Sequence, residues 1–218
     1  MPSQMLQLTR GLQRYAAVGA LLGWFALAVQ LYLILWGRWI DQASVVGGLV
    51  RFFSFFTIVT NTLVAVALTC AVTDRQSAVH RFFRSPVVCA GITTSILLVS
   101  IAYNVLLRHL WSPEGWQRLA DELLHDVMPL VFLGYWWLFV RKGVLGLKHL
   151  LAWMLYPMLY FGYLLVRGNL LGDYLYPFLD IGTIGIKSAL INAFGVLAGF
   201  VGIGLVIVWI DRFRASKR

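Results

Sequence analysis

The chain has 218 residues, of which 60% are hydrophobic and only 12% charged, and its mean hydropathy is +0.79. A soluble domain is about half apolar and about a quarter charged, so this chain lacks the polar residues to cover a water-facing surface. Its 14 Phe, 9 Trp and 9 Tyr exclude intrinsic disorder.

Apolar stretches recur six times, and a helix of about 20 residues is what a hydrocarbon core of about 30 Å requires. Arg10 and Arg14 precede the first expected span, 15–36. It is longer than a secretory h-region and no small-residue cleavage site follows, so it is expected to stay as an anchor. The second span, 49–72, carries Ser54, Thr57 and Asn61 within a sector of about 60°. The third, 86–107, answers with Thr93, Ser100 and Asn104 within about 40°. The fourth, 121–140, reaches spanning length only when it starts near Asp121. The fifth, 148–167, uses Lys148 and Arg167 as snorkelling ends. The last, 186–210, is glycine-rich, and its Gly195-x-x-x-Gly199 pattern suggests a homodimer through this helix. The runs do not alternate with period 2, which disfavours a barrel. The expected fold is an all-α polytopic membrane protein, a six-helix bundle forming one integral membrane domain over 1–218.

Charge orients the bundle. The N-terminal segment, the second and fourth loops and the C-terminus hold Arg10, Arg14, Arg75, Arg81, Arg84, Arg141, Lys142, Lys148, Arg212, Arg214, Lys217 and Arg218 against Asp74 and Asp211, a net +10. The other side holds six basic against seven acidic residues, a net −1. Lys and Arg are retained in the cytoplasm, so both termini are expected there. The formal charge of +9 is therefore a topology signal, and no nucleic-acid partner is expected. Cys70 and Cys89 show no disulfide or zinc spacing and read as ordinary buried thiols.

Polar groups at membrane depth carry the functional signal, because each is costly without a partner or a wet cavity. The ordinary explanation of the two polar stripes is interhelical packing. His125 narrows the choice. Counting at 1.5 Å per residue puts it about 6 Å below the outer boundary and Thr57 about 6 to 8 Å below the same boundary. A threonine becomes nucleophilic when a base takes its proton, and histidine suits that task near neutral pH. Asp121 and Glu122 lie four and three residues before His125, so either can orient the ring. The simpler account of both acids is a helix N-terminus at the interface. Asp126 points about 100° away and is the weaker candidate.

The order of these residues resembles a known family. A threonine follows two phenylalanines (Phe55–Thr57), a histidine opens a later span shortly before a proline (His125–Pro129), and GDYLYPFLD (172–180) precedes the last span. This is similar to the androgen-induced membrane proteins and their bacterial six-helix relatives, over most of the chain. The resemblance implies an intramembrane hydrolase of fatty-acid esters, with Thr57 as nucleophile and His125 as base, in the bacterial inner (cell) membrane. The histidine-to-proline spacing is one residue shorter than in the animal members, and the 60–62 run differs.

In 172–180 the rings of Tyr174, Tyr176 and Phe178 suit the headgroup level, and Pro177 suits a helix stop. Arg167, Tyr176 and Lys187 are candidates to hold a substrate head group, the simpler explanation being an aromatic belt with a snorkelling arginine. Asn61, Ser100 and Asn104 are candidate oxyanion donors or pocket residues. No GxSxG, HExxH, Walker or GxGxxG motif occurs, and neither metal nor cofactor is expected. The expected partner is a membrane lipid or lipid-ester substrate. The alternative is a non-catalytic membrane protein that binds or transports a small amphipathic ligand.

Overall fold

The computed structural model describes residues 2–73 and 75–216, with side chains from Arg10 onward. Asp74, Lys217 and Arg218 of the charge count lie outside the described residues. The described residues form helices and connecting turns, with no strand among them.

The helices are α1 (Pro2–Ile40), α2 (Val45–Phe53), α3 (Phe56–Val72), α4 (Ala78–Phe83), α5 (Pro86–Ala102), α6 (Gly115–Glu122), α7 (Met128–Phe139), α8 (Leu147–Leu171) and α9 (Ile181–Ala215). Four stretches are long and apolar enough to cross a bilayer: Arg10–Ile40, Pro86–Leu110, Leu147–Leu171 and Ile181–Ala215. A fifth candidate is the pair α2 and α3, bent by 73°. The exposed side chains of α1, α8 and α9 are themselves large and apolar, among them Leu21, Leu151, Leu159, Phe194 and Trp209. Such a surface is stable against hydrocarbon and marks an integral membrane protein.

Two of the expected spans differ in form. Span 49–72 is not one rod: α2 ends at Ser54, and Phe55 adopts an extended backbone (φ −82°, ψ 128°) before α3 begins. Ser54 therefore shares no helix with Thr57 and Asn61. The fourth segment starts at Gly115, before Asp121, and its helical path crosses a π turn, Leu123–Val127, before α7. Only the 12 residues of α7 are apolar without interruption, a rise of about 18 Å. Four or five membrane-long elements thus stand where composition suggests six.

α5 forms the centre, packed against α3, α7 and α9, while α1 covers α3 and the α6–α7 arm, and α8 leans on α9. Close approach explains two glycines. A side chain at Gly91 would collide with the Trp153 ring, whose Nε1 donates to the Val87 carbonyl at 3.1 Å. One at Gly204 would collide with Leu150. α9 breaks at Gly185 (φ 76°, ψ 155°), so its continuous part starts at Ile186.

The charged residues separate to the two ends of the bundle. At one end Arg84 caps the carbonyls of Cys70 and Thr73, and Arg212 and Arg214 reach those of Leu145 and Trp137. Buried Asp211 accepts the Gly143 and Leu145 N–H groups there, each at 2.9 Å. At the other end Arg51 and Arg167 meet Asp173, and Arg108 meets Glu122 and Asp126.

Candidate active site

The bend between α2 and α3 is clamped by tyrosines of α8. The Tyr160 hydroxyl donates to the Ser54 carbonyl at 2.7 Å and accepts the Phe56 N–H at 2.9 Å, and Tyr163 pairs with the Ser54 hydroxyl at 2.5 Å. Thr57 is consequently the second residue of α3. Its own N–H finds no backbone acceptor among the described residues, as expected in a first helical turn.

His125 owes its position to a local interruption. The Met128 N–H reaches back to the Leu123 carbonyl, one residue further than in an α-helix, and Pro129 follows. Proline offers no N–H to the His125 carbonyl and clashes with it in a regular helix, so the extra residue of a π turn relieves that conflict. A second π turn, Tyr103–Leu107, ends α5. The two interruptions bring their rings face to face: Tyr103 stacks on His125 with centroids 3.8 Å apart and planes 16° from parallel.

The result is a relay. Thr57 Oγ lies 3.3 Å from His125 Nε2. His125 Nδ1 lies 3.0 Å from the Asp121 carbonyl oxygen and 3.3 Å from its carboxylate Oδ1. Asp121 is buried, and its other carboxylate oxygen accepts the Tyr103 hydroxyl. A hydroxyl, an imidazole and a carboxylate in this order have the connectivity needed for nucleophile activation. The 3.3 Å contact is longer than a tight hydrogen bond.

The other candidates fall elsewhere. Glu122 does not orient the ring; it pairs with Arg108 at 3.0 Å. Asn104 donates to the Ser100 carbonyl and to Asp126, at 3.0 and 2.8 Å, and is exposed, so neither Asn104 nor Ser100 supplies a donor to Thr57. Asn61 spends its amide N–H groups on the carbonyls of Thr57 and Leu124, at 2.9 and 3.1 Å. It is a strap between α3 and the π turn, not an oxyanion donor. Arg167 is tied to the carbonyl and carboxylate of Asp173, at 2.6 and 3.2 Å, and Lys187 is exposed on α9. Tyr176 does reach the site. Its hydroxyl accepts the Phe56 N–H at 3.2 Å and lies within hydrogen-bonding reach of Thr57. Burial pushes its phenol above the usual tyrosine range, so it remains a neutral donor.

Tyr103 was not among the sequence candidates, since a tyrosine in an apolar run reads as packing. Two cavities meet at Thr57, Tyr103, Leu107 and Tyr176. One is a narrow apolar crevice walled by Leu98, Phe161, Leu164, Phe178 and Val196. The other, about 320 Å³, holds His125 and Asp121 together with Gln30, Trp111 and Gln117. No family model matches the sequence, and neither curated proteins nor solved structures yield a similar chain.

Proposed function

We propose that the chain is an intramembrane hydrolase of lipid esters with a threonine nucleophile, as the resemblance to the androgen-induced proteins implies. The single observation that carries this reading is the Thr57–His125–Asp121 relay at the junction of two cavities. Thr57 Oγ attacks the ester carbonyl as its proton passes to His125 Nε2, while Nδ1–H stays on Asp121. The tetrahedral oxyanion takes the free Thr57 N–H at the α3 N-terminus and the Tyr176 hydroxyl, donors fixed before substrate arrives. His125 then returns the proton to the departing alcohol oxygen. Water, deprotonated by the same imidazole, releases the acid from acyl-threonine.

In the bilayer, the bent α2–α3 pair and the Gly115–Phe139 arm complete six spans, the arm's Asp121 being buried while its Glu122 and Asp126 pair with half-exposed Arg108. The termini and the end holding Arg84 and Arg212 are cytoplasmic, and the site faces the outer leaflet of a bacterial inner membrane. The test compares wild type with Thr57→Ala and His125→Ala, using a serine/threonine hydrolase probe and turnover of ester lipids. Loss of labelling and of turnover in both variants is expected. Labelling unchanged in both would overturn the mechanism and leave a ligand-binding pocket.

A further inference from the structure

The two cavities differ in chemistry, and a third hollow extends one of them. The apolar crevice shares Leu98, Ala102, Phe178 and Val196 with a groove between α5 and α9 that also exposes Ile101, Ile191 and Gly195. A Cβ at Gly195 would meet no atom within 4 Å, and one at Gly199 only Leu98 at 4.0 Å. The bare faces of these glycines therefore floor a hollow and pack against nothing in the chain. The groove's one side-chain amide, Asn192, donates an N–H to the Phe178 carbonyl at 2.9 Å. The crevice at Thr57, about 50 Å³, thus lies directly beside a groove on the lipid-facing surface, the two sharing these walls.

The opposite cavity carries a polar pair. Gln117 donates to the Gln30 amide oxygen at 2.9 Å, which leaves an amide NH2 on Gln30 and an amide carbonyl on Gln117. A donor beside an acceptor fits a hydroxyl, which both gives and takes a hydrogen bond. A glutamine inside an otherwise apolar span is costly to keep without such a use.

We infer that the substrate is an ester of one acyl chain with a small polyhydroxy alcohol, its acyl chain in the α5–α9 groove and its hydroxyls on Gln30 and Gln117. The inference rests on the hydrolase reading for the word ester, but the seating of the two arms is separable from turnover. The walls it shares with the crevice at Thr57, together with its apolar lining, are what assign the groove to an acyl chain. Chemically, Thr57 breaks the bond between acyl carbon and alcohol oxygen, the alcohol leaves into the polar cavity with the proton from His125, and the acid departs along the groove after water attack.

The test uses Thr57→Ala protein in lipid nanodiscs and 1-O-dodecylglycerol, an uncleavable ether, bearing a diazirine at the tail end. Photolabelling is expected at residues 98–106 and 191–199. Unlabelled dodecylglycerol should suppress it at least tenfold better than dodecyl propyl ether at equal mole fraction in lipid. Gln30→Leu with Gln117→Leu should erase that preference, and Gly195→Leu, which meets open space and so leaves the fold intact, should lower tail labelling at least tenfold. In the otherwise wild-type enzyme, Gly195→Leu should slow dodecanoyl-glycerol hydrolysis at least tenfold and spare the butanoyl ester. Equal competition by the two ethers, or labels outside the groove, would overturn the inference. So would a dimer lost on Gly195→Leu, since a second copy would then cover the groove. Correct labelling without Thr57-dependent turnover would retain the seating and sink only the hydrolase reading.

Discussion

His125 is held three ways: by the Asp121 carbonyl, by the Asp121 carboxylate and by the Tyr103 ring. This redundancy determines what Asp121→Asn should do. In triads where the carboxylate alone selects the tautomer, the amide variant loses about 10⁴ in kcat. Here the main-chain carbonyl at 3.0 Å still accepts Nδ1–H, so the variant loses only the stabilising charge. A fall of about 10- to 100-fold in kcat with little change in KM is expected from steady-state kinetics, and a fall near 10⁴ would show that the carbonyl does not share the task. Thr57 and His125 were legible as a hydroxyl and an imidazole at matched depth, whereas spacing alone left Asp121 and Glu122 as alternatives. Gln30, a lone amide in the first span, passed unremarked in the sequence. Tyr103 was not legible, because nothing in its neighbours announces the π turn that rotates it onto the histidine.

At the scale of elements, interruptions position the chemistry. Pro129→Ala restores the missing N–H and removes the ring that a regular helix cannot hold. The arm should then relax toward an α-helix and rotate His125 by up to about 100° from Thr57. Thermal stability is expected to hold or rise while probe labelling falls at least tenfold. A labelling loss accompanied by a lower Tm would point instead to misfolding. The segment carrying Tyr176 is anchored differently. α8 ends at Gly172 (φ 63°), and Asp173 then joins Arg51 of α2 to Arg167 of α8. Burial raises the Asp173 carboxyl, but the two guanidiniums outweigh it and hold it below its ordinary value of 3.8. The anchor is therefore fully present above about 3.8 and is lost as pH falls through the lowered value. Asp173 is 48% exposed, so the effect is local. Relative to the intrinsic base-catalysed rate at each pH, amide protection of residues 172–180 should fall on acidification and, at neutral pH, in Asp173→Asn. Exchange unchanged in that variant would show that the aromatic packing of Tyr174 on Gly168 holds the segment unaided. The bend at Ser54 and Phe55 escaped the sequence reading because neither residue is a helix breaker; it is imposed from outside by Tyr160 and Tyr163.

Over the whole molecule, composition alone disclosed the solvent. The apolar surface of α1, α8 and α9 and the separation of charge to two ends follow from hydropathy and the positions of Arg and Lys. How many helices cross was less legible, because α6 and the first turns of its arm are polar: Asp121 is buried, but Arg118 is exposed and Glu122 meets Arg108 at the surface. Orientation is directly measurable: a C-terminal alkaline phosphatase fusion should be inactive and a C-terminal fluorescent fusion bright. An active phosphatase would invert the bundle and put the site on the cytoplasmic leaflet. The paired π turns have a consequence for how such a chain changes over generations. Each amounts to one surplus residue in a helix: loss of a single codon near 105 would heal the end of α5, whereas the same loss near 125 would return Pro129 to a regular helix that it breaks. A chain of this shape one residue shorter at the end of α5 should thus fold and insert but lose the stacking of Tyr103 on His125.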